Sequence, residues 1–190
     1  LFRRQGRIGE ATGIHQGLVD RHDLPKEKRE LALFELAQDF HAAGLFVRAE
    51  SVYEQLTGTS FEAEAVTRLA SVLEQEKAWQ RAIAARERIQ RISGEPQGRF
   101  IAQYHCELAE VALAEGKDEQ IAQHLAAASE NNRNNARVPL IAFRSAIKRG
   151  NREAAKTALA EILRTRADLS VLVADDVVNL YQSLGLPGTG

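Results

Sequence analysis

The 190 residues include one cysteine, no methionine, one tryptophan and four prolines. The lone cysteine, Cys106, rules out an internal disulfide and fits a reducing compartment. No apolar run approaches the roughly 18 residues needed to cross a bilayer, and no signal peptide opens the chain. The chain starts at Leu1, and the absence of methionine predicts a segment of a longer protein. Catalytic signatures are missing too. There is no phosphate-cradling glycine loop, no His-Glu-x-x-His and no Gly-x-Ser-x-Gly. The adjacent carboxylates Asp175 and Asp176 diverge by about 100° on a helix, so they cannot work as an acid/base pair. No two of the five histidines (His15, His22, His41, His105, His124) fall at i, i+4, so the sequence predicts no metal site. Cys106 reads as a small, half-buried helix residue with no base assigned by any motif.

What is abundant is helix-forming: Ala, Leu, Glu, Gln and Arg dominate. Self-similarity follows. A glycine stands five residues before a small or aliphatic anchor in four places: Gly6 before Ala11, Gly44 before Ala49, Gly116 before Ile121 and Gly150 before Ala155. A fifth copy has Lys77 in place of glycine, with Trp79 and then Ala82. The anchors are spaced by 38, 33, 39 and 34 residues. A helix–turn–helix repeat of roughly 34 residues has this period. Glycine just past a helix end accepts the left-handed conformation that closes it. The small anchor lets two helices approach. Apolar stripes complete each pair, as in Leu33, Leu36, Ala37 and Phe40 followed by Ala49, Tyr53 and Leu56.

The expected fold is therefore all-α: a tetratricopeptide-repeat array of antiparallel helix pairs forming a right-handed superhelical solenoid. The expected organisation is one array over 1–184. A partial repeat covers 1–22, repeats cover about 24–58, 59–93, 96–131 and 134–167, a terminal helix covers 169–184, and 185–190 forms a poorly ordered tail. Pro25 is expected in a first helical turn, and Thr59-Ser60-Phe61-Glu62 reads as a capping box.

Such arrays bind partners on a face lined mostly by first helices. The repeat register places Phe34, Gln38 and His41 there, then Thr67, Ser71 and Glu74, then Cys106 and Glu110, then Arg144 and Lys148. Each either touches a partner or is an ordinary solvated side chain. Charge is uneven. Residues 131–166 hold nine Lys/Arg and two acids, a net of +7, against 16 basic and 24 acidic residues elsewhere. Phe143 is the one aromatic in that basic stretch, which argues against base stacking and so against nucleic acid. A solvated face, an acidic protein or a membrane surface remain as readings.

Several stretches resemble one family: Leu1-Phe2-Arg3-Arg4-Gln5-Gly6-Arg7, Leu36-Ala37-Gln38-Asp39-Phe40-His41-Ala42-Ala43-Gly44-Leu45, Trp79-Gln80-Arg81-Ala82-Ile83, Tyr104-His105-Cys106-Glu107-Leu108-Ala109 and Asn134-Asn135-Ala136-Arg137-Val138. Together they are similar to the lipopolysaccharide assembly protein B family of Gram-negative bacteria, from Leu1 to about Arg149. The resemblance implies an inner-membrane protein with one N-terminal membrane helix, cytoplasmic repeats and a C-terminal rubredoxin-like metal module. It implies an adaptor that helps the membrane protease FtsH degrade LpxC, so balancing lipopolysaccharide synthesis. It also implies a place on the cytoplasmic face of the inner membrane, reached through a helix outside this segment. No cofactor is expected in the segment itself, no catalytic residue is carried over, and a homodimer is open.

Two other readings compete. A co-chaperone-like module would clamp a peptide carboxylate with groove Lys and Asn, but the comparable positions hold Phe34 and Gln38. A substrate-recruiting region of a glycosyltransferase would need a catalytic domain outside this segment.

Overall fold

The computed structural model describes residues 2–166 together with positions 171, 174, 175 and 178. The expected terminal helix 169–184, apart from those few positions, and the tail 185–190 lie outside the described residues. Among the described residues all regular structure is helical. A 3-10 turn, Arg3–Gln5, is followed by α1 (Ile8–Val19), α2 (Lys26–Ala42), α3 (Phe46–Glu54), α4 (Glu62–Gln75) and α5 (Trp79–Ser93). Then come α6 (Gly98–Glu115), α7 (Asp118–Asn131), α8 (Arg137–Lys148) and α9 (Arg152–Arg166). The chain divides into two compact units, Leu1–Gln97 and Gly98–Gly190.

One turn recurs and explains the sequence period. Gly44 closes α2 with φ 71°, and the N–H of Leu45 reaches back five residues to the Phe40 carbonyl at 2.9 Å. The Leu45 carbonyl then accepts the first bond of the next helix, from Ala49. Matching long-reach bonds run from Arg7 to Phe2, Ala78 to Leu73, Lys117 to Ala112 and Asn151 to Ala146. This is the six-to-one closure of a helix end. It sets the five-residue distance from the left-handed residue to the anchor, because the anchor is the first residue bonded into the new helix.

In the first unit α1 packs on α2, α2 on α3, α3 on α4 and α4 on α5, with α2 also touching α4. Ala37, Ala49, Ala70 and Ala82 are wholly buried where these helices meet. A larger side chain at any of them would force the backbones apart. Tyr53, Leu36 and Leu56 supply the bulk of the core. In the second unit α6 pairs with α7 and α8 with α9, and α8 also packs on α6 and α7. Leu140, Phe143, Ala146, Ala155, Ala158 and Ile162 fill the α8–α9 interface. Ala102, Cys106, Ala109, Ala128 and Ile141 fill the space between α6, α7 and α8.

Three local expectations need correction. Pro25 precedes α2 as its capping residue rather than entering the first turn. The capping box at Thr59 does not form. The residue before α4 is Phe61, and the Glu62 carboxylate instead accepts the backbone N–H of Gly58 at 2.9 Å. The Thr59 hydroxyl turns back to the Leu56 carbonyl at 2.7 Å. Cys106 is fully buried rather than half-buried.

Candidate protein-binding groove

A buried charge organises the first unit. Asp39 lies on α2 with its side chain fully enclosed. Arg3 donates to Asp39 at 2.7 Å and to Glu35 at 2.9 Å, while the His15 ring meets the other Asp39 oxygen at 2.5 Å. A buried carboxylate without such partners would carry a heavy desolvation cost. Arg3 also donates to the Gln38 side-chain oxygen at 3.2 Å, so the same guanidinium holds one of the expected groove residues.

Beside this cluster lies a recess of about 390 Å³ lined by Arg3, Gln38, His41, Ala42, Tyr53, Arg68 and Gln75. His41 and Gln75 join α2 to α4 through a 2.9 Å contact between His41 Nε2 and the Gln75 amide nitrogen. Burial holds His41 below its ordinary pKa; the Gln75 contact opposes this and nearby Arg68 adds to it. The Phe46 ring meets His41 edge-on at 5.9 Å. Tyr53 is 2% exposed, and its hydroxyl has no hydrogen-bond partner. Burial pushes the Tyr53 pKa up to about 12, so the group stays a protonated donor.

The expected groove residues separate into classes. Gln38 and His41 line the recess. Phe34 does not reach solvent; it is buried, stacked on Phe61 at 5.4 Å and packed against Tyr53 at 6.2 Å, so it supports the face from beneath. Thr67 is exposed and Ser71 half-buried, and each hydroxyl bonds back to its own helix. Glu74 turns toward α5 and pairs with Arg86 at 2.6 Å.

In the second unit Cys106 is likewise buried, and burial raises its thiol pKa to about 11, an inert core thiol. Glu110 pairs with Arg137 at 2.8 Å, and the same guanidinium reaches Glu107 at 2.5 Å. Lys148 donates to the Leu113 carbonyl near the end of α6 at 2.6 Å, beside the longer bond that carbonyl accepts from Gly116. Arg144 is exposed. A recess of about 810 Å³ with a largely apolar lining, including Val138, Pro139, Ala142 and Ala158, lies along α8 and α9. Among the described residues no three His, Cys, Asp or Glu side chains gather as a metal site, and no helix is long and apolar enough to cross a membrane.

Comparison with known proteins places this geometry. No protein-family model matches the sequence. Lipopolysaccharide assembly protein B of Escherichia coli K12 is 31% identical over 186 residues, which is 97% of this chain and 48% of that protein. The chain is a homologue of lipopolysaccharide assembly protein B across that stretch. It spans about half the length of that curated relative. The protein of the same name from Haemophilus influenzae is 32% identical over 111 residues, 58% of this chain and 28% of that protein. The likeness therefore runs past Arg149, beyond which the matching sequence stretches thin out. A tetratricopeptide repeat protein from Parabacteroides merdae has the same fold, with a TM-score of 0.51 at 14% identity over 97% of this chain and 70% of that one.

Sequence reasoning did not place Arg3, Tyr53, Arg68 and Gln75 beside Gln38 and His41 in the lining of the recess. Tyr53 counted as core stripe, and its unpartnered buried hydroxyl has no signal in the sequence. Arg3 precedes the first full helix and approaches α2 only through the fold. Arg68 and Gln75 stand one position after Thr67 and Glu74, a rotation of about 100° on the helix, and no local signal decides which of the two neighbours faces the recess. The paired rings of His105 and His124, with Nδ1 atoms 3.2 Å apart across α6 and α7, were also invisible at a separation of 19 residues.

Proposed function

We propose that this chain is the protein-binding repeat region of a non-catalytic adaptor in lipopolysaccharide assembly, and that it helps the membrane protease FtsH degrade LpxC. The homology over 97% of the chain carries this reading. The polar recess on α2 and α4 supports it, since facing first helices are where repeat arrays receive partners. In this reading the repeats work on the cytoplasmic face of the inner membrane. The anchor and any metal module belong to parts of the protein outside this segment.

The test is affinity capture from Gram-negative membranes with the full-length protein, coupled to LpxC turnover in cells. FtsH or LpxC should be recovered, and deleting the segment should slow LpxC degradation. Recovery of neither protein, with LpxC turnover unchanged, refutes the adaptor role.

A further inference from the structure

We propose that the recess formed by Arg3, Gln38, His41, Tyr53, Arg68 and Gln75 binds a single carboxylate presented by an acidic peptide segment of a protein partner. The proposal rests on the reading of this face as a protein-binding groove and adds the chemistry of what enters it.

The lining offers donors and no carboxylate. Two guanidinium groups, two side-chain amides, an imidazole and a phenol face a space of about 390 Å³, enough for the end of a Glu or Asp side chain. The Tyr53 hydroxyl is the decisive group. It is buried, it has no acceptor, and it remains protonated. A buried donor without an acceptor costs free energy, and a carboxylate entering the recess would relieve that cost. Arg68 is available to take part, since among the described residues its ion pair is a 3.5 Å contact with Glu64 along the same exposed helix face. Such contacts are worth little, so exchanging Glu64 for an incoming carboxylate loses almost nothing.

Arg3 plays a different part. Its guanidinium is committed to Glu35 and Asp39 and holds Gln38 in place. Glu35, Asp39 and Glu64 outnumber the two arginines by one charge. Repulsion from those carboxylates is smaller for a monoanion than for a dianion such as phosphate, and the ligand is held by the donors that line the recess. Arg68 and Gln75 are the solvent-exposed members of the lining on α4.

The experiment uses the 190-residue chain and three probes: blocked Ac-Gly-Glu-Gly-NH2, its Gln counterpart and inorganic phosphate. The readout is the NMR titration of the His41 imidazole. The Glu peptide should move the His41 signals and raise its pKa, because an anion beside the ring favours the protonated form. The Gln peptide should not. Arg68→Gln should weaken binding about tenfold or more, as expected for one charge-assisted hydrogen bond. Tyr53→Phe should weaken it about two- to fivefold while leaving the fold intact, since it deletes an atom with no partner. Circular dichroism confirms folding of both variants.

No His41 response to the Glu peptide overturns the proposal, as does a response undiminished in both variants. A response to phosphate with none to the peptide also overturns it, in favour of an inorganic anion site. Failure here with intact capture of FtsH or LpxC removes only the carboxylate site. Carboxylate binding without capture removes the adaptor reading and leaves the site.

Discussion

Lys77 carries a backbone conformation that its side chain disfavours. Its φ is 55°, and it is the one described non-glycine residue with positive φ. It occupies the position that Gly44, Gly116 and Gly150 hold in the other turns. The left-handed region brings Cβ close to the following carbonyl, a strain glycine avoids. Lys77→Gly should therefore stabilise the first unit by about 0.5–1 kcal/mol, offset partly by the greater freedom of glycine in the unfolded chain. Urea denaturation monitored through Trp79 checks this, and an unchanged or lower midpoint counts against the strain argument. Arg3 gives the opposite case. Arg3→Ala leaves the buried Asp39 carboxylate with only His15 and should cost about 2–3 kcal/mol, less than a fully enclosed pair because Arg3 is itself partly exposed. Adding Asp39→Asn should recover part of that loss, and a purely additive double mutant would sink the coupling. These two residues mark what sequence can and cannot say. The left-handed turn at Lys77 was legible because four glycines mark its register. The Arg3–Asp39 contact spans 36 residues and has no local signal.

Helix ends show the same division one level up. The repeat anchors were readable because a helix closure, a left-handed residue and a small buried residue must follow one another at fixed distances. The capping box was misread because Thr59, Glu62 and the N–H of Gly58 found other partners in the same turn. The start of α6 lies close to the expected repeat start at about residue 96, but the need for glycine at Gly98 was not legible. A Cβ there would lie 2.4 Å from the Asn131 carbonyl oxygen at the end of α7. That neighbour is backbone and cannot rotate away. Gly98→Ala should force the N-terminus of α6 from the end of α7 and destabilise the second unit by about 1–3 kcal/mol. Thermal melting measures the loss. Hydrogen exchange should place it in α6 and α7, and uniform loss across α2–α5 as well would argue against this local cause.

At the scale of the molecule, charge and pH act together. The basic stretch 131–166 is less free than its count of cations implies, because Arg137 is held by Glu107 and Glu110 and Arg149 lies 3.8 Å from Asp118. Acid sensitivity has a clearer source, one histidine in each unit. Burial depresses His41 and His124 below their ordinary value of 6.5. For a base so depressed, the unfolded chain binds more protons than the folded one between the folded pKa and 6.5. The stability these groups contribute is therefore complete above about pH 6.5 and is lost as pH falls toward their folded values. The His105–His124 contact needs one ring nitrogen as acceptor, so protonation of both rings breaks it. Both units should lose hydrogen-exchange protection as pH falls from 7 to 5, after correction for intrinsic exchange. His124→Gln should flatten that dependence in α6 and α7 alone, and His41→Gln in α2 to α4 alone. The same slope in the variants as in the parent chain would show that carboxylates such as Glu62, held low by Arg88, and not the two histidines, govern acid unfolding. An acidic peptide in the recess of the first unit should oppose the effect there and only there, because an anion that raises the His41 pKa removes the proton difference that drives the loss.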